Sequence, residues 1–274
     1  MLNNFEQLAG LADHDIDLIQ AALFIAQREY PDLDVPTYLA QIDAHAKAVQ
    51  HQLNDATDAE HILETLNNYL FKQQGFSGNL DDYYDPRNSL LNDVLDRKSG
   101  IPISLSIIYM EIGKRLGLDL EGVCFPGHFL VRFNVAGGAI VLDPFFGGMS
   151  LDETELYERL EQHVELETDE SLEDYLAPAS NKAILVRLLR NLRVIHIQKA
   201  AAEKALHYSD WIIRLTPDNA DEYLMRGKLY QQLDCYLPAL KDYQHYLHMD
   251  VSDDEAERVR AEVIRLQHSD LHIH

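Results

Sequence analysis

Apolar residues recur every three or four positions over the first 75 residues, which is the spacing of amphipathic helices. Turn-forming or capping residues interrupt this pattern at Tyr30-Pro31, at Thr57-Asp58 and near Gly75, where helices are expected to begin or end. The pattern predicts three helices, whose apolar faces carry Ile16, Ile19, Leu23 and Ala26; Leu39, Ile42, Ala46, Val49 and Leu53; and Ile62, Leu66, Tyr69 and Leu70.

A loop and two further helices follow. The stretch from Gly75 to Pro86 is rich in turn residues and aromatics, so we expect a loop. A short helix then presents Leu90, Leu91, Val94 and Leu95 on one side. A longer helix opens at Gly100-Ile101-Pro102, because Pro suits the first helical turn, and it ends at Gly117. Its buried stripe consists of Leu105, Ile108, Tyr109, Ile112 and Leu116.

The periodicity changes after Gly117 to the alternation typical of strands. Three strands are expected, with breaks at Gly127 and Gly137-Gly138: Val123–Phe125, His128–Phe133 and Ala139–Leu142. After Ser150 the pattern is helical again. Helices followed by a cluster of strands indicate the α+β class.

The C-terminal part repeats itself at a spacing of 34 residues, so that Ala205 recurs as Ala239. The second copy is close to the tetratricopeptide pattern and reads Tyr223-x2-Arg226-Gly227-x2-Tyr230, then Ala239-x3-Tyr243. The first copy has Arg193 and His196 where the pattern has Gly and Tyr. We therefore expect one good repeat and one degenerate repeat.

The chain is strongly acidic, with 46 Asp and Glu against 23 Lys and Arg and a formal charge of −23. Eleven of the acids, with a single Arg, lie in Leu151–Ser180. Such a surface repels nucleic acid and anionic lipid, so neither is expected as a partner. It is compatible with a basic protein partner, although solubility is the simpler interpretation. Arg187 and Arg190 are expected to neutralise part of this acidic segment.

The expected compartment is the cytoplasm. Cys124 and Cys235 cannot form a disulfide framework and suit a reducing environment. The first residues show neither a basic leader nor an apolar core, and no stretch approaches the ~20 apolar residues that span a bilayer.

No cofactor or metal is expected. His268, His272 and His274 cluster at the C-terminus, but without a Cys or a closing acid they form a weak metal motif, and a polar tail is the simpler interpretation.

His128 and Asp143 are the residues best suited to chemistry. A four-residue turn over Asn134–Gly137 would place them directly opposite each other, where a carboxylate can orient an imidazole and raise its basicity. A two-residue turn at Gly137-Gly138 would shift the register and separate them. The structural alternative is a histidine bonded to a carbonyl beside an Asp that caps the turn Asp143-Pro144.

A nucleophile would complete this pair, and the start of a helix is the favourable place for one. Ser104 lies at the predicted helix start, although a serine there is more often a cap. Cys124 precedes His128 by four residues across a Pro-Gly break, and Cys235 lies in the repeat region. Neither thiol fits the position of the nucleophile well. Tyr83 and Tyr84, in the loop, could wall a cleft beside His128.

Four motifs carry a resemblance to a known family. They are Asn79-Leu80-Asp81-Asp82-Tyr83-Tyr84-Asp85-Pro86-Arg87-Asn88-Ser89, Gly100-Ile101-Pro102-Ile103-Ser104-Leu105, Phe125-Pro126-Gly127-His128-Phe129-Leu130-Val131-Arg132 and Leu142-Asp143-Pro144-Phe145. In these residues the chain resembles the SirB family of bacterial proteins, from about Asn67 to the end of the repeats. That family joins a transglutaminase-like core to tetratricopeptide-type repeats.

The resemblance implies a fold and a site. It implies a papain/transglutaminase-like core with a helical N-terminal part and a small antiparallel sheet over residues 1–176. An all-α tetratricopeptide-like region would follow over residues 177–274. In the wider superfamily the catalytic order is Cys, His, Asp, and His128 and Asp143 match its last two members. Pro102–Ser104 occupies the position of the Cys, which this chain lacks.

Two functions follow as expectations. The first is a non-catalytic module that binds a peptide or protein segment, with Tyr83, Tyr84, Pro102 and Gly127 lining its pocket. The second is a hydrolase or acyltransferase in which Ser104 is the nucleophile, His128 the base and Asp143 the orienting acid.

Overall fold

The computed structural model describes residues 5–53, 58–164 and 171–270, apart from the side chains of residues 6, 9 and 268–270. The chain divides into two compact units, Met1–Leu188 and Leu189–His274. The division falls inside a helix that runs from Asn181 to Gln198. The sequence-based boundary, between residues 176 and 177, lies in the segment before this helix.

The first unit is mainly helical, and the three helices predicted before Gly75 are all present. Its α-helices are α1 Phe5–Ala9, α2 Leu18–Ala26, α3 Val35–Gln52, α4 Ala59–Asn67, α5 Leu91–Arg97, α6 Pro102–Arg115, α7 Glu153–Leu160, α8 Leu172–Tyr175 and the first part of α9 Asn181–Gln198. A π-helical segment, Asn68–Gln73, extends α4, and short 3-10 turns occur at Asp13–Asp15, Pro86–Asn88 and Pro144–Phe146.

The central element of the first unit is α6. Every residue from Pro102 to Gly113 is buried, so this helix is covered on all sides rather than along one stripe. It contacts α2, α3 and α5 as well as the sheet described below. The helix ends where Gly117 takes the left-handed conformation, with φ +83°.

The sheet has four antiparallel strands in sequential order: β3 Leu120–Val123, β4 Leu130–Val135, β5 Gly138–Asp143 and β6 Met149–Leu151. A second, two-stranded parallel sheet joins β1 Ser77–Gly78 to β2 Ser99–Gly100. Helices together with this small antiparallel sheet confirm the α+β class. The sequence pattern does not predict β1, β2 or β6, because strands of two or three residues are too short to show alternation.

The hairpin has neither of the two turns considered from the sequence. Val135 pairs with Gly138, so the turn has only two residues, Ala136 and Gly137, instead of four. Gly137 has φ +97°, a conformation that short hairpin turns require and that glycine adopts readily. In this register Val131, not His128, faces the end of β5, where it pairs with Leu142.

The second unit contains the end of α9 and four further helices: α10 Ala202–Leu215, α11 Ala220–Gln232, α12 Tyr236–Leu247 and α13 Asp253–Asp270. In the good repeat, an added Cβ at Gly227 would lie 2.5 Å from the ring of Tyr243. The glycine of the motif therefore lets two helices approach closely. In the degenerate repeat Arg193 is buried instead and forms an ion pair with Glu222.

No helix within the described ranges is both long and apolar enough to cross a bilayer.

Candidate functional site

The loop that carries the two predicted pocket tyrosines is held by Asn88, which is fully buried. Its side-chain nitrogen donates to the carbonyls of Asp82 and Tyr83 at 2.7 and 3.3 Å, and its oxygen accepts from Asn79 at 3.1 Å. These bonds fix the backbone at Tyr83 and Tyr84. The asparagines at both ends of the first motif therefore have a structural role.

Ser104 is fully buried at the start of α6. Its hydroxyl lies 2.6 Å from the carbonyl of Asn88, to which it donates, and it accepts from the N–H of Ile101 at 3.1 Å. Gly100 leaves room for it, since an added Cβ there would lie 2.7 Å from Ser104 Oγ. Pro102, also buried, takes the first helical turn. The second motif thus builds a helix start in which Ile101 is the N-cap residue and Ser104, at the third helical position, accepts the N–H of Ile101.

His128 precedes β4 in a tight turn. Its N–H donates to the carbonyl of Phe125 at 3.1 Å, and Gly127 supplies the positive φ of +68°. The turn brings His128 Nε2 to 3.0 Å from both carboxylate oxygens of Asp143, which is fully buried. Nδ1 of His128 has no hydrogen-bond partner among the described residues. His128 and Asp143 therefore lie within hydrogen-bond distance, although the strand register from which this contact was predicted is not present.

Asp143 has two further partners. Arg159 Nη1 donates to its Oδ2 at 2.7 Å, and the N–H of Phe145 donates to its Oδ1 at 3.1 Å. Burial alone would raise the pKa of Asp143, but the hydrogen bond and charge of His128, followed by those of Arg159, outweigh it and hold the pKa below its ordinary value. The carboxylate is thus shared between an imidazole and a guanidinium.

Aromatic rings surround the imidazole. Phe145 meets His128 edge-on at 5.9 Å between ring centroids, and Phe146 stacks on it at 6.3 Å with 17° between the planes. Phe145 also meets the ring of Tyr83, which in turn packs against Tyr84. Phe146 is 47% exposed and Tyr84 55% exposed, so the cluster has an outer face open to solvent.

Two cationic side chains complete the surroundings. Arg159 lies over the ring of Phe146 at 5.7 Å, which orients that ring beside the imidazole. Arg187 donates to the carbonyl of His128 at 2.7 Å, and its charge opposes the rise that burial causes in the pKa of Tyr83. Arg190 pairs with Glu222. These partners lie outside the acidic segment, four of whose acids are not among the described residues, so neutralisation of that segment by Arg187 and Arg190 stays a prediction.

The sequence-predicted site residues fall into two groups. One group is connected to the imidazole by direct contacts or through Phe145: His128, Asp143, Gly127, Tyr83 and Tyr84. The other group is buried at the start of α6 and consists of Ser104 and Pro102. The hydrogen bonds of Ser104 go to Asn88 and Ile101 and not to His128.

Sequence reasoning did not find Arg159, Phe146 or Arg187. Only one signal pointed to any of them: Arg159 is the single Arg in a segment of eleven acids, and a lone opposite charge suggests a specific partner. Phe146 and Arg187 gave no such signal, because their roles depend on where the loop after β5 and the helix α9 lie in space.

Within the described residues, no group of three or more His, Cys, Asp or Glu side chains is arranged to hold a metal ion. His272, His274 and the side chain of His268 lie outside the described part of the chain.

Comparison with known proteins defines the class. A family model described as transglutaminase-like superfamily matches residues 36–190, more than half of the chain. A tetratricopeptide-repeat model matches residues 192–263. The chain is therefore a transglutaminase-like domain followed by tetratricopeptide helices, a combination that supports a protein-interaction module with protein partners.

The relatives narrow this class to one family. A UPF0162 protein of Xylella fastidiosa is 38% identical over all of this chain and 98% of its own length. Another, from Pseudomonas aeruginosa, is 34% identical over 91% of this chain and 90% of the relative. Protein SirB1 of Salmonella typhimurium is 27% identical over 88% of this chain and 90% of the relative. The chain belongs to the SirB family of bacterial proteins, as its four motifs predicted.

Proposed function

We propose that the transglutaminase-like domain is a non-catalytic binding module whose site, at His128 and the aromatic cluster around it, holds a peptide or protein segment. The observation that carries this proposal is the state of Ser104. Its hydroxyl faces two backbone carbonyl acceptors, those of Asn88 and Ile101, and the side chain is fully buried, so it offers neither a free proton for His128 to remove nor access for a substrate.

The composition of the site supports the same function. The segment Pro102–Ser104 opens α6, where the superfamily resemblance would place a thiol nucleophile, and it contains no cysteine. Asp143 is bound by Arg159 as well as His128, which weakens its hold on an imidazolium. A carboxylate shared in this way suits a structural anchor.

Binding chemistry remains available at this site. The exposed faces of Phe146 and Tyr84 offer apolar area, and Nδ1 of His128 can accept or donate a hydrogen bond. Such a combination fits an extended segment that places one apolar side chain against the rings and one backbone group against the imidazole.

A fluorophosphonate probe tests whether the domain is catalytic. We expect no labelling of the full-length protein in a reaction mixture in which a serine hydrolase, added as the positive control, is labelled. Labelling that disappears in Ser104→Ala but persists in Ser106→Ala would instead establish the hydrolase or acyltransferase with Ser104, His128 and Asp143, and would overturn the proposal.

Selection from a random peptide library tests the binding function. Peptides enriched on the full-length protein should bind Phe146→Ala at least tenfold more weakly, since that change removes the exposed ring stacked on His128. Tyr157→Ala is the matched control, because Tyr157 is a partly exposed aromatic on α7 for which no contact to this cluster is found among the described residues. Equal binding by wild type and Phe146→Ala would place recognition elsewhere and contradict the proposal.

The setting we propose is the cytoplasm, with protein rather than nucleic-acid partners. Cys124 and Cys235 do not form a disulfide, and the charge of −23 disfavours binding to a polyanion. A basic partner is consistent with this charge.

A further inference from the structure

Arg187 is a half-buried arginine of the first unit that pairs with no acid among the described residues. It lies on α9 and donates through Nη2 to the carbonyl of His128 at 2.7 Å. Its other N–H groups have no acceptor in the described part of the chain. A guanidinium presents several donors in one plane and often binds a carboxylate with two of them. The bond to one carbonyl therefore leaves most of its donors unused.

The other half-buried arginines within the described first unit have acidic partners. Their ion pairs are Arg97–Asp85 at 3.6 Å, Arg132–Glu173 at 2.8 Å and Arg159–Asp143 at 2.7 Å. Taking a cation partly out of water is costly unless an anion compensates it. In a chain of charge −23, a half-buried arginine bound only to a carbonyl therefore indicates that its anion comes from a ligand.

Arg187 lies beside the middle of the aromatic cluster. The contacting rings of this cluster follow one another in the order Phe146, His128, Phe145, Tyr83 and Tyr84. Arg187 binds the backbone of His128, and its charge acts on the hydroxyl of Tyr83, so it is near the central members of the row. The Tyr83 hydroxyl and Nδ1 of His128 can both donate a hydrogen bond as well.

The exposure of the row indicates which kind of carboxylate it would receive. Both ends are open to solvent, at Phe146 and Tyr84, whereas Arg187 is near the centre. A segment that lies along the row therefore passes Arg187 with an internal residue, which favours an acidic side chain over a C-terminal carboxylate. The charge of −23 repels a run of acids, so we expect this acid to stand among apolar or basic residues.

We propose that Arg187 recognises an aspartate or glutamate side chain of the protein or peptide segment that binds at the aromatic cluster. The carboxylate accepts hydrogen bonds from the unused N–H groups of the guanidinium, while a neighbouring apolar side chain packs on Phe146. This inference rests on the proposed binding function and gives it a specificity, namely an acidic residue next to an apolar one.

The probes are two blocked dipeptides, Ac-Phe-Glu-NH2 and Ac-Phe-Gln-NH2, which differ by one charge. Each is titrated into full-length protein that carries isotope-labelled arginine, with Arg187→Lys used to assign the Nε–H signal of Arg187 by NMR. We expect Ac-Phe-Glu-NH2 to shift this signal in a saturable manner. It should bind about fivefold more tightly than Ac-Phe-Gln-NH2, because a charged acceptor forms the stronger bonds with a guanidinium.

Two variants test whether this preference belongs to Arg187. Arg187→Gln should abolish it, since glutamine keeps an N–H donor for the His128 carbonyl but carries no charge. Binding of Ac-Phe-Gln-NH2 should stay within a factor of two, which shows that the variant retains the site. Arg132→Gln is the matched control and should keep the preference, because it removes the same charge from a half-buried arginine that pairs with Glu173.

The inference is overturned if Ac-Phe-Glu-NH2 leaves the Arg187 signal unshifted, or if the preference survives Arg187→Gln. Loss of the preference in Arg132→Gln would indicate a long-range field instead. Tighter binding by Ac-Gln-Phe-OH than by Ac-Phe-Glu-NH2 would indicate a chain end as the ligand. Displacement of the dipeptide by equimolar inorganic phosphate would indicate a site for simple anions.

The acidic segment of the chain itself is the remaining source of a carboxylate. A variant that combines Glu165→Gln, Glu167→Gln, Asp169→Asn and Glu170→Gln should bind Ac-Phe-Glu-NH2 within a factor of two of wild type. Binding that becomes fivefold tighter would show that these acids already pair with Arg187, and would overturn the inference.

Failure of this inference and failure of the proposed function give different results. Equal binding of the two dipeptides, both weakened by Phe146→Ala, would leave the binding module standing without this specificity. The library selection at Phe146 is a separate measurement, and its failure leaves the charge preference at Arg187 measurable.

Discussion

At the scale of single residues, His128 and Asp143 meet because two kinds of local structure converge. Asp143 is the last residue of β5, whereas His128 stands in a turn fixed by Gly127. Arg159 then binds the same carboxylate from α7. The buried carboxylate therefore links β5, the turn at His128 and α7, so replacing Asp143 should destabilise all three.

Replacing Asp143 should destabilise the first unit in a pH-dependent manner. We expect Asp143→Asn to lower the free energy of unfolding by about 2–4 kcal/mol at pH 7, because His128 and Arg159 lose a buried charged partner. Since the folded state holds the pKa of Asp143 below its ordinary value, the wild-type advantage is complete above that ordinary value, near pH 4. It is lost as the pH falls through the lowered folded-state pKa.

Hydrogen exchange of the β4 and β5 amides at increasing urea concentration, between pH 7 and pH 3, measures this difference. Asp152→Asn is the control, because Asp152 is an exposed N-cap of α7 and Asn caps equally well. A difference between wild type and Asp143→Asn that stays constant down to pH 3 would show that the charge of Asp143 contributes nothing.

Gly78 packs directly against the aromatic cluster, at the ring of Phe145. A Cβ added there would lie 2.5 Å from the buried ring of Phe145. We expect Gly78→Ala to displace that ring and destabilise the first unit by about 1–3 kcal/mol, as overpacking generally does.

Gly138→Ala supplies the comparison for this change, since it also places an alanine in a strand but its Cβ meets nothing within 4 Å. Combining Gly78→Ala with Phe145→Leu should recover part of the loss. Hydrogen exchange of the α6 amides reports the outcome, and equal effects of Gly78→Ala and Gly138→Ala would rule out the clash.

At the scale of elements, the two repeats pack neighbouring helices together with different residues at the glycine position of the motif. In the good repeat Gly227 allows close contact with Tyr243, whose hydroxyl donates to Gln231 at 2.8 Å. In the degenerate repeat the larger Arg193 is accommodated by its ion pair with Glu222, a buried acid of α11. A buried charged residue is therefore tolerated at this glycine position because the neighbouring helix supplies an acid that pairs with it.

Gly227→Ala should destabilise the second unit even though alanine favours helices. The gain in helix propensity is about 1 kcal/mol, whereas a Cβ 2.5 Å from a ring that is 1% exposed should cost about 2–3 kcal/mol. The net loss should be about 1–2 kcal/mol. Trp211, the single tryptophan, is buried in this unit and its fluorescence follows unfolding in urea.

Lys228→Ala, at the adjacent exposed position of α11, should change the stability by less than about 0.5 kcal/mol. Replacing Tyr243 by Leu should remove most of the penalty of Gly227→Ala. Stabilisation by Gly227→Ala alone would mean that Tyr243 moves aside freely.

At the scale of the whole molecule, the charge of −23 opposes the folded state through self-repulsion. Exposed ion pairs work in the other direction but contribute at most ~1 kcal/mol each. We therefore expect added salt to stabilise the protein by about 1–2 kcal/mol between 0.02 and 0.5 M NaCl, because the screening length falls below the spacing of surface acids.

Urea titrations at fixed pH, followed by circular dichroism, measure this effect. Choline chloride at equal ionic strength should act like NaCl if screening is the cause. Stability that falls with salt would indicate that favourable ion pairs outweigh the net repulsion.

The helices before residue 75, the start of α6, the good repeat and the family can all be predicted from the sequence, because periodicity, caps and glycine positions are local properties of the chain. The sequence also selected His128 and Asp143, although the register used to pair them was wrong. Tertiary structure decided what local pattern cannot encode: the two-residue hairpin turn, the burial of Ser104 against Asn88, and the binding of Asp143 by Arg159. The physical reason is that each of these depends on partners distant in sequence, whose positions are fixed only when the core of the first unit packs around α6.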